Sequence, residues 1–180
     1  MEDFFQLENS FKTQHCIYTE LRHKASKLTI ALFNLYVLVL YLEKKECWQT
    51  LVDFLECYSP LNIVIARDIN IILDPKEKIG GNNSKDPLLP FVEDIIQQWD
   101  LLDLKPKKGR YTWTNNRTGA AHISARLDRF IVQSTLLMDK RILSTRILPK
   151  LTSDHKPILL QLDEEENPGP IPFCFSPLWI

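Results

Sequence analysis

The sequence predicts a layered α/β fold, and three neighbouring segments carry this prediction. Residues 28–42 form an uncharged apolar run, LTIALFNLYVLVLYL, which we interpret as a central strand buried on both faces. Residues 43–58 place apolar side chains at the spacing of an amphipathic helix. Residues 62–66 form a second, shorter apolar strand. The order strand, helix, strand favours helices packed against a sheet.

The composition of the chain is that of one globular domain. Its 180 residues are 44% hydrophobic and 25% charged, which separates it from disordered sequences. This length is sufficient for a single sizeable core. The formal net charge of −1 gives no electrostatic argument for binding nucleic acid, and it leaves a locally basic face open.

Two other classes of protein fit the sequence less well. The four cysteines form no CxxC pair, so we predict no zinc site, and without a secretion signal they indicate reduced thiols in an intracellular protein. The apolar run 28–42 is shorter than the roughly 20 residues that a membrane-spanning helix needs, and it contains Asn34. We therefore favour a buried strand over a membrane anchor, and we expect no small-molecule cofactor.

Local signals set the limits of the elements in the first half of the chain. Residues 16–21 suggest an edge strand. Ser59 and Pro60 end the first helix. Asp86 followed by Pro87 is typical of an N-cap and the first position of a helix, so a second helix with one apolar face should begin there.

The second half predicts short strands separated by turns. We expect a short helix around residues 134–139. The extended segments are expected at residues 101–104, 111–114, 126–132, 142–148 and 157–162.

Polar residues collect where several of these strands should end. Such positions are suited to function because a sheet fixes them while loops leave them accessible. Carboxylates can activate water, orient an imidazole or bind a divalent metal, and an amide and a phenol can hold a phosphate by hydrogen bonds. The set therefore suits metal-assisted phosphodiester hydrolysis. Its members are Tyr36, Asp68, Asn70, Asp128, Asp154 and His155.

Each of these residues also has a purely structural interpretation. Asp68 and Asn70 are common turn formers. Asp128 lies between two arginines and could form a surface ion pair. Tyr36 could belong to the core, and Asp154 could form a simple turn beside an exposed histidine. Taken singly, the residues do not decide between these alternatives.

Several motifs carry a resemblance to a known family. They are FNLY, IVIARDINIILDPKEKIGG, WDLLDLKP, GRYTWTNNRTGAAHISARLDRF and ILPKLTSDHKPI. From about Tyr18 onward the sequence resembles the endonuclease domain of plant LINE-type (non-LTR) retrotransposons, in the endonuclease/exonuclease/phosphatase superfamily. The resemblance implies a partial four-layer, DNase I-like α/β sandwich with mixed β-sheets. It also implies magnesium as the metal, DNA as the substrate and a nuclear location.

The resemblance implies a catalytic role for five residues. Asp68 matches the aspartate that activates water, and Asn70 matches the amide that positions the phosphate. Tyr36 matches a tyrosine that contacts the scissile phosphate. His155 matches the histidine that contacts the phosphate, and Asp128 matches the acid that pairs with this histidine.

Five further residues receive binding roles in the same way. Asp154 matches the aspartate near the metal, and Ser153 would orient its neighbours. Thr112 and Trp113 match a strand beside the DNA-binding edge. Arg110 is expected to contact the DNA backbone, because arginine and lysine supply most phosphate affinity. The adjacent candidates for such contacts are Lys107 and Lys108.

The sequence departs from the family pattern in two ways that bear on activity. Arg67 stands where the family motif has glycine, so a long cation lies beside Asp68. There it could lower the pKa of that carboxyl, block the phosphate or occupy the place of the metal. No glutamate in a plausible context matches the family's magnesium ligand, so we expect the N-terminal strands of the domain to be missing. The expected organisation is a divergent segment at 1–17, the domain at 18–163 and a linker toward a reverse transcriptase region at 164–180.

Two functions follow from these observations. The first is a magnesium-dependent DNA endonuclease whose activity is impaired by Arg67 and by the missing ligand. The second is a catalytically inactive remnant of the same fold that acts at most as a nucleic-acid or protein binding module.

Overall fold

The computed structural model describes residues 4–82, 84–138, 141–150 and 152–164. The expected linker from residue 165 onward lies outside the described residues. The α-helices of the described part are α1 (Tyr41–Tyr58) and α2 (Leu89–Gln98), and short 3-10 turns occur at Pro75–Glu77, Gly119–Ala121 and Ser134–Leu137. The strands are β1 (Phe5–Lys12), β2 (Cys16–His23), β3 (Thr29–Leu35), β4 (Ile63–Asp68), β5 (Lys78–Ile79), β6 (Leu101–Asp103), β7 (Trp113–Thr114), β8 (Ser124–Ala125), β9 (Asp128–Gln133), β10 (Arg141–Ile147) and β11 (Ile158–Glu164).

Six of these strands form the central mixed sheet in the order β1-β2-β3-β4-β9-β6. Strands β3 and β4 are parallel and are connected through α1, whereas every other neighbouring pair in this sheet is antiparallel. Strands β10 and β11 form a second, antiparallel sheet, and β5, β8 and β7 form a small third sheet.

The two faces of the central sheet pack against different layers. Phe33, Ile65 and Ile131 point from one face into the main core, which they share with the apolar sides of α1 and α2. Val64 and Val132 point from the other face, where side chains of β10 and β11 pack against them. The prediction of a layered α/β fold with mixed sheets is therefore confirmed.

The apolar run 28–42 forms a shorter strand than predicted. Strand β3 ends at Leu35 and α1 already begins at Tyr41, so the last part of the run connects these two elements. Along β3, alternate side chains such as Phe33 are fully buried, and those between them are partly buried against the cluster around Val64 and Val132, so burial is complete on one face only. None of the described helices has the length and apolar character needed to span a membrane.

The N-terminal segment contributes a strand that the sequence did not indicate. Strand β1 pairs with β2 along its whole length, so β2 is an internal strand rather than the predicted edge. Every residue of β1 is exposed. Its apolar residues Phe5, Leu7 and Phe11 alternate with polar residues except at Asn9, and neither face of the strand is buried.

Asp86 is not the N-cap of α2 that the sequence predicted, but lies two residues before it. Helix α2 begins at Leu89, and the N-cap position is held by Leu88, which offers no side-chain hydrogen bond. The Oδ1 atom of Asp86 accepts a hydrogen bond from the backbone N–H of Leu88 at 2.9 Å. Its Oδ2 atom lies 2.5 Å from Nζ of the buried Lys44. Asp86 therefore ties the approach to α2 to the first turn of α1.

Candidate active site

Two strand ends of the central sheet bring a pair of carboxylates together. Asp68 is the last residue of β4 and Asp128 is the first residue of β9, and the two lie directly opposite each other in the antiparallel ladder. Side chains at such opposed positions point to the same face of the sheet, with Cβ atoms roughly 5 Å apart. The apolar stretches behind them, residues 63–65 and 130–132, anchor both strand ends in the core.

A histidine from the loop before β11 completes this group. Nδ1 of His155 lies 2.9 Å from Oδ2 of Asp128, and Nε2 lies 3.8 Å from Oδ2 of Asp68. Asp128 thus fixes the imidazole ring and directs its second nitrogen toward Asp68. The structure brings together the three groups that the sequence placed at separate strand ends, and their catalytic roles remain predictions.

Asn70 follows Asp68 in a tight turn that holds both side chains. The backbone N–H of Asn70 donates to Oδ1 of Asp68 at 2.8 Å, and the residue adopts a positive φ of 50°. This is the turn that the structural interpretation of the sequence predicted. The turn also directs the side chain of Asn70 into the site, where Nδ2 donates to the carbonyl of Val37 at 2.8 Å.

A hollow of about 390 Å³ lies in front of these residues. Tyr36, the residue that follows β3, contributes one wall of the hollow, and its side chain is half exposed. The lining residues are Tyr36, Val37, Leu38, Val39, Arg67, Asp68, Asn70, Asp128 and His155. All five residues to which the resemblance assigns catalytic roles therefore face one hollow.

None of the residues with predicted binding roles lines the hollow. Nε1 of Trp113 donates to Oδ2 of Asp154 at 2.9 Å, and the hydroxyl of Ser153 accepts from the backbone N–H of His155 at 3.0 Å. These bonds shape the loop that carries the histidine. The guanidinium of Arg110 lies 6.0 Å from the ring of Tyr111, outside the hollow. Contacts of these side chains with a substrate remain predictions.

Thr112 supports the site from within the protein. Its side chain is buried, and its hydroxyl oxygen accepts hydrogen bonds from the backbone N–H groups of Leu127 and Asp128, each at 3.0 Å. The predicted contact between Thr112 and substrate does not fit this burial. Its hydroxyl instead fixes the first residue of β9, and with it the carboxylate that holds His155.

Arg67 is the feature of the site that deviates most from ordinary backbone geometry. Its φ is 114°, a value that side chains with a Cβ atom rarely adopt and that glycine tolerates. Its guanidinium carbon lies 5.1 Å from the centroid of the Tyr36 ring, and Nη1 lies 3.5 Å from Oδ1 of Asn34. The backbone angle explains in physical terms why the resembling pattern has glycine at this position.

The pKa values of Asp68 and Asp154 are shifted in opposite directions. Burial raises the pKa of Asp68, and the neighbouring Asp128 adds to this, while the Asn70 backbone N–H, His155 and Arg67 act against it. Arg67 therefore lowers this pKa in the expected direction, but burial outweighs the arginine and the net shift is upward. The hydrogen bond from Trp113 lowers the pKa of Asp154. Asp68 is therefore the better proton acceptor of the two.

The donor atoms of the site do not fit the magnesium ion that the resemblance implies. Across the part of the chain that the structure describes, no three His, Cys, Asp or Glu side chains are gathered closely enough to hold a metal. Oδ2 of Asp154 is engaged by Trp113, and Oδ2 of Asp128 is engaged by His155. The only other carboxylate of the hollow, Asp68, has a cationic guanidinium as its chain neighbour.

Sequence reasoning missed a buried network of ion pairs behind the site. Arg126 and Arg129 flank Asp128, but they are buried and pair with Glu77 and Asp103 at 2.6–2.9 Å. The alternative interpretation of Asp128 as part of a surface ion pair with these arginines therefore does not hold. Burial alone would raise the pKa of Glu77, yet hydrogen bonds and charge from the two arginines lower it. No local signal could have found these partners, because they come from distant segments.

The fold of this chain is that of the endonuclease/exonuclease/phosphatase proteins, with the DNase I-like arrangement of mixed sheets. No protein-family model and no curated protein matches the sequence. The likeness comes from solved structures of low sequence identity, so it shows the fold alone.

Three solved structures illustrate this likeness. A mannosyl-6-phosphatase from Bacteroides thetaiotaomicron is 12% identical with a TM-score of 0.56, covering 89% of this chain and 68% of that one. An endonuclease/exonuclease/phosphatase family protein from the same organism is 12% identical with a TM-score of 0.57, covering 89% of this chain and 66% of that one. TDP2 from D. rerio, complexed with a single-strand DNA product, is 16% identical with a TM-score of 0.57, covering 88% of this chain and 68% of that one. The chain thus spans about two thirds of the length of each.

Proposed function

We propose that this chain is a DNA endonuclease-like domain of a retrotransposon, directed at phosphodiester bonds and impaired in hydrolysis. The observation that carries the proposal is the convergence of Asp68, Asp128 and His155 on one hollow. A carboxylate that can accept a proton, beside an imidazole oriented by a second carboxylate, is suited to the hydrolysis of phosphate esters. The fold of the structural neighbours supports the same class of reaction.

Each side chain of the hollow has a defined part in the proposed chemistry. Asp128 holds the ring of His155 through the 2.9 Å bond to Nδ1, so that Nε2 faces the hollow. The imidazolium form of His155 stabilises negative charge on a phosphate oxygen. Asp68, with its raised pKa, accepts a proton from an attacking water molecule. Asn70 holds the wall of the hollow through Val37.

DNA is proposed as the substrate on two grounds. The resemblance to retrotransposon endonucleases implies it, along with a reverse transcriptase region as partner and a nuclear location. One structural neighbour, TDP2, was solved with a single-strand DNA product. Another neighbour is a sugar phosphatase, so the fold by itself leaves phosphate monoesters as a competing substrate class.

A supercoiled plasmid tests the proposal directly. In a buffer that contains magnesium we expect only slow nicking by the purified chain, because the described donor atoms hold that ion poorly, and loss of that nicking in His155→Gln and Asp68→Asn. His23→Gln is the matched control, because His23 is at the far end of β2 and its Nδ1 bonds only to Ser26 within the described chain. Nicking that persists in both site variants would place the activity outside this hollow.

The second candidate is a remnant that binds phosphate without cleaving it. Arg67 in the hollow and the absence of a metal-holding cluster among the described residues favour it. Binding of a DNA oligonucleotide with no nicking over long incubation would support this candidate over the first. Hydrolysis of a sugar phosphate but not of plasmid DNA would contradict both.

A further inference from the structure

We propose that Arg67 is a built-in cation that binds a phosphate group in the hollow without any metal ion. The choice of DNA phosphate as the ligand rests on the proposed function, but the site itself is defined by charge and geometry. Arg67 stands where the resembling pattern has glycine, so this would be a property of the present chain.

The guanidinium is held at the rim of the hollow by neutral groups. It lies 5.1 Å from the ring centroid of Tyr36, and Nη1 lies 3.5 Å from Oδ1 of Asn34. An aromatic face and an amide oxygen orient a guanidinium without neutralising it. Most of its five N–H donors therefore remain available to an oxyanion.

The other charges of the hollow are paired more closely than that of Arg67. Asp128 is bound to His155 at 2.9 Å, and Oδ1 of Asp68 accepts the N–H of Asn70 at 2.8 Å. Among the residues that the structure describes, Arg67 has no carboxylate within 4.0 Å of its guanidinium nitrogens. Of the charged groups in the hollow, Arg67 is therefore the one whose charge is least neutralised by a neighbour, and an entering anion would bind to it.

The backbone at Arg67 is an independent observation that points the same way. A φ of 114° on a residue with a Cβ atom is a strained geometry. Strain of this kind is found most often at ligand-binding and catalytic positions, where the surrounding structure enforces it. Here the geometry turns the side chain toward Tyr36 and into the wall of the hollow.

The hollow is poorly suited to a magnesium ion, whose place Arg67 would take. No cluster of three potential metal ligands is found within residues 4–82, 84–138, 141–150 and 152–164. A guanidinium donates two parallel hydrogen bonds to two phosphate oxygens. It thereby neutralises and orients the phosphate, as a bound divalent cation would. The hollow of about 390 Å³ is large enough for a phosphodiester group with part of a flanking sugar.

Fluorescence anisotropy with a short single-stranded DNA oligonucleotide tests the inference in the presence of EDTA. We expect wild-type binding to be the same with EDTA and with magnesium. Arg67→Gln should weaken binding about tenfold or more, because a charged hydrogen bond to the phosphate is lost. It should also reduce the slope of log K against log salt by roughly 0.7, which corresponds to one phosphate contact on a single strand.

Arg22→Gln is the matched control. Arg22 lies near the end of β2 that is remote from the hollow, and its side chain is about half exposed. It should leave both the affinity and the salt slope unchanged. Thermal melting of the two variants checks that each remains folded, and glutamine keeps the Cβ atom and hence the backbone strain at position 67.

The remaining outcomes decide against the inference. Binding that requires magnesium would mean that a metal supplies the cation. Equal affinity of the wild type and Arg67→Gln, or an equal loss in Arg22→Gln, would mean that Arg67 makes no specific contact. Competition by inorganic phosphate distinguishes a phosphate site from recognition of bases. Because nicking is measured separately with magnesium, failure of hydrolysis leaves the result on binding intact.

Discussion

Replacing Arg67 by glycine and by alanine measures the strain at the active-site rim. Alanine removes the guanidinium but keeps the Cβ atom at a φ of 114°, whereas glycine removes both. A residue held in a sparsely populated backbone region costs of order 1–3 kcal/mol. Glycine in a strand is otherwise about 0.5–1 kcal/mol worse than alanine. The difference leaves glycine more stable than alanine by roughly 1 kcal/mol at the middle of these ranges, and by about 2.5 kcal/mol at most.

The size of the chain converts this into a measurable shift. For a chain of 180 residues, about 1 kcal/mol moves Tm by roughly 2–4 °C, so Arg67→Gly should melt by roughly that amount above Arg67→Ala. Urea unfolding followed by circular dichroism gives the same comparison as a free energy. The lost contacts with Tyr36 and Asn34 are absent from both variants and cancel.

Position 22 supplies the reference pair of substitutions. Arg22 lies in β2 and is not among the residues with positive φ, so Arg22→Ala should be more stable than Arg22→Gly. The prediction for Arg67 is the opposite order. If alanine is the more stable residue at both positions, the strain argument fails, and with it one of the two supports for a binding role of Arg67.

Three further substitutions test the support of the site. Thr112→Val leaves the backbone N–H groups of Leu127 and Asp128 without their acceptor and should cost roughly 2–4 kcal/mol in urea unfolding, while Thr112→Ser should retain most of the stability. Because the pKa of Asp68 is raised, its contribution to stability is present below its unfolded pKa and is lost as pH rises through the folded pKa. Asp68→Asn should therefore gain stability over the wild type between about pH 4 and neutrality in a series of thermal melts, and parallel pH curves would contradict this. Glu77→Gln removes the charge opposite two buried arginines and should cost about 3 kcal/mol, again by urea unfolding; since the pKa of Glu77 is lowered, the wild type should lose this contribution as pH falls.

Local periodicity was sufficient for the elements that are buried on a definite face. Helix α1 and strand β4 lie within two residues of their predicted limits at each end. The apolar run 28–42, in contrast, gave no sign of the break between β3 and α1. An uninterrupted apolar run cannot reveal where a strand becomes a connection, because the connection is as apolar as the strand even though Val39 and Leu40 are exposed. Strand β1 was not predictable for the opposite reason, since it is exposed along its length.

The residues that line the candidate site could be predicted from the sequence, but the buried residues that hold them in place could not. Asp68 ends one apolar strand, Asp128 begins another and His155 lies just before a third, and strand ends are where functional groups gather. The pairing of Arg129 with Glu77 joins residues 52 positions apart, and charge patterns carry no information about such partners. The role of Thr112 depends on which backbone groups lie beneath the hollow, which only the folded chain defines.

The direct opposition of Asp68 and Asp128 makes the hollow depend on the alignment of β4 with β9. A slip of one residue would turn one carboxylate to the far side of the sheet and leave an apolar or basic neighbour in its place. A single-codon deletion within either strand would therefore abolish the hollow as completely as removing both acids. Length changes in the connection between β7 and β8 would not, because that segment lies outside the aligned pair. Among related sequences, this region should tolerate gaps at the turn while the two strands keep a constant length.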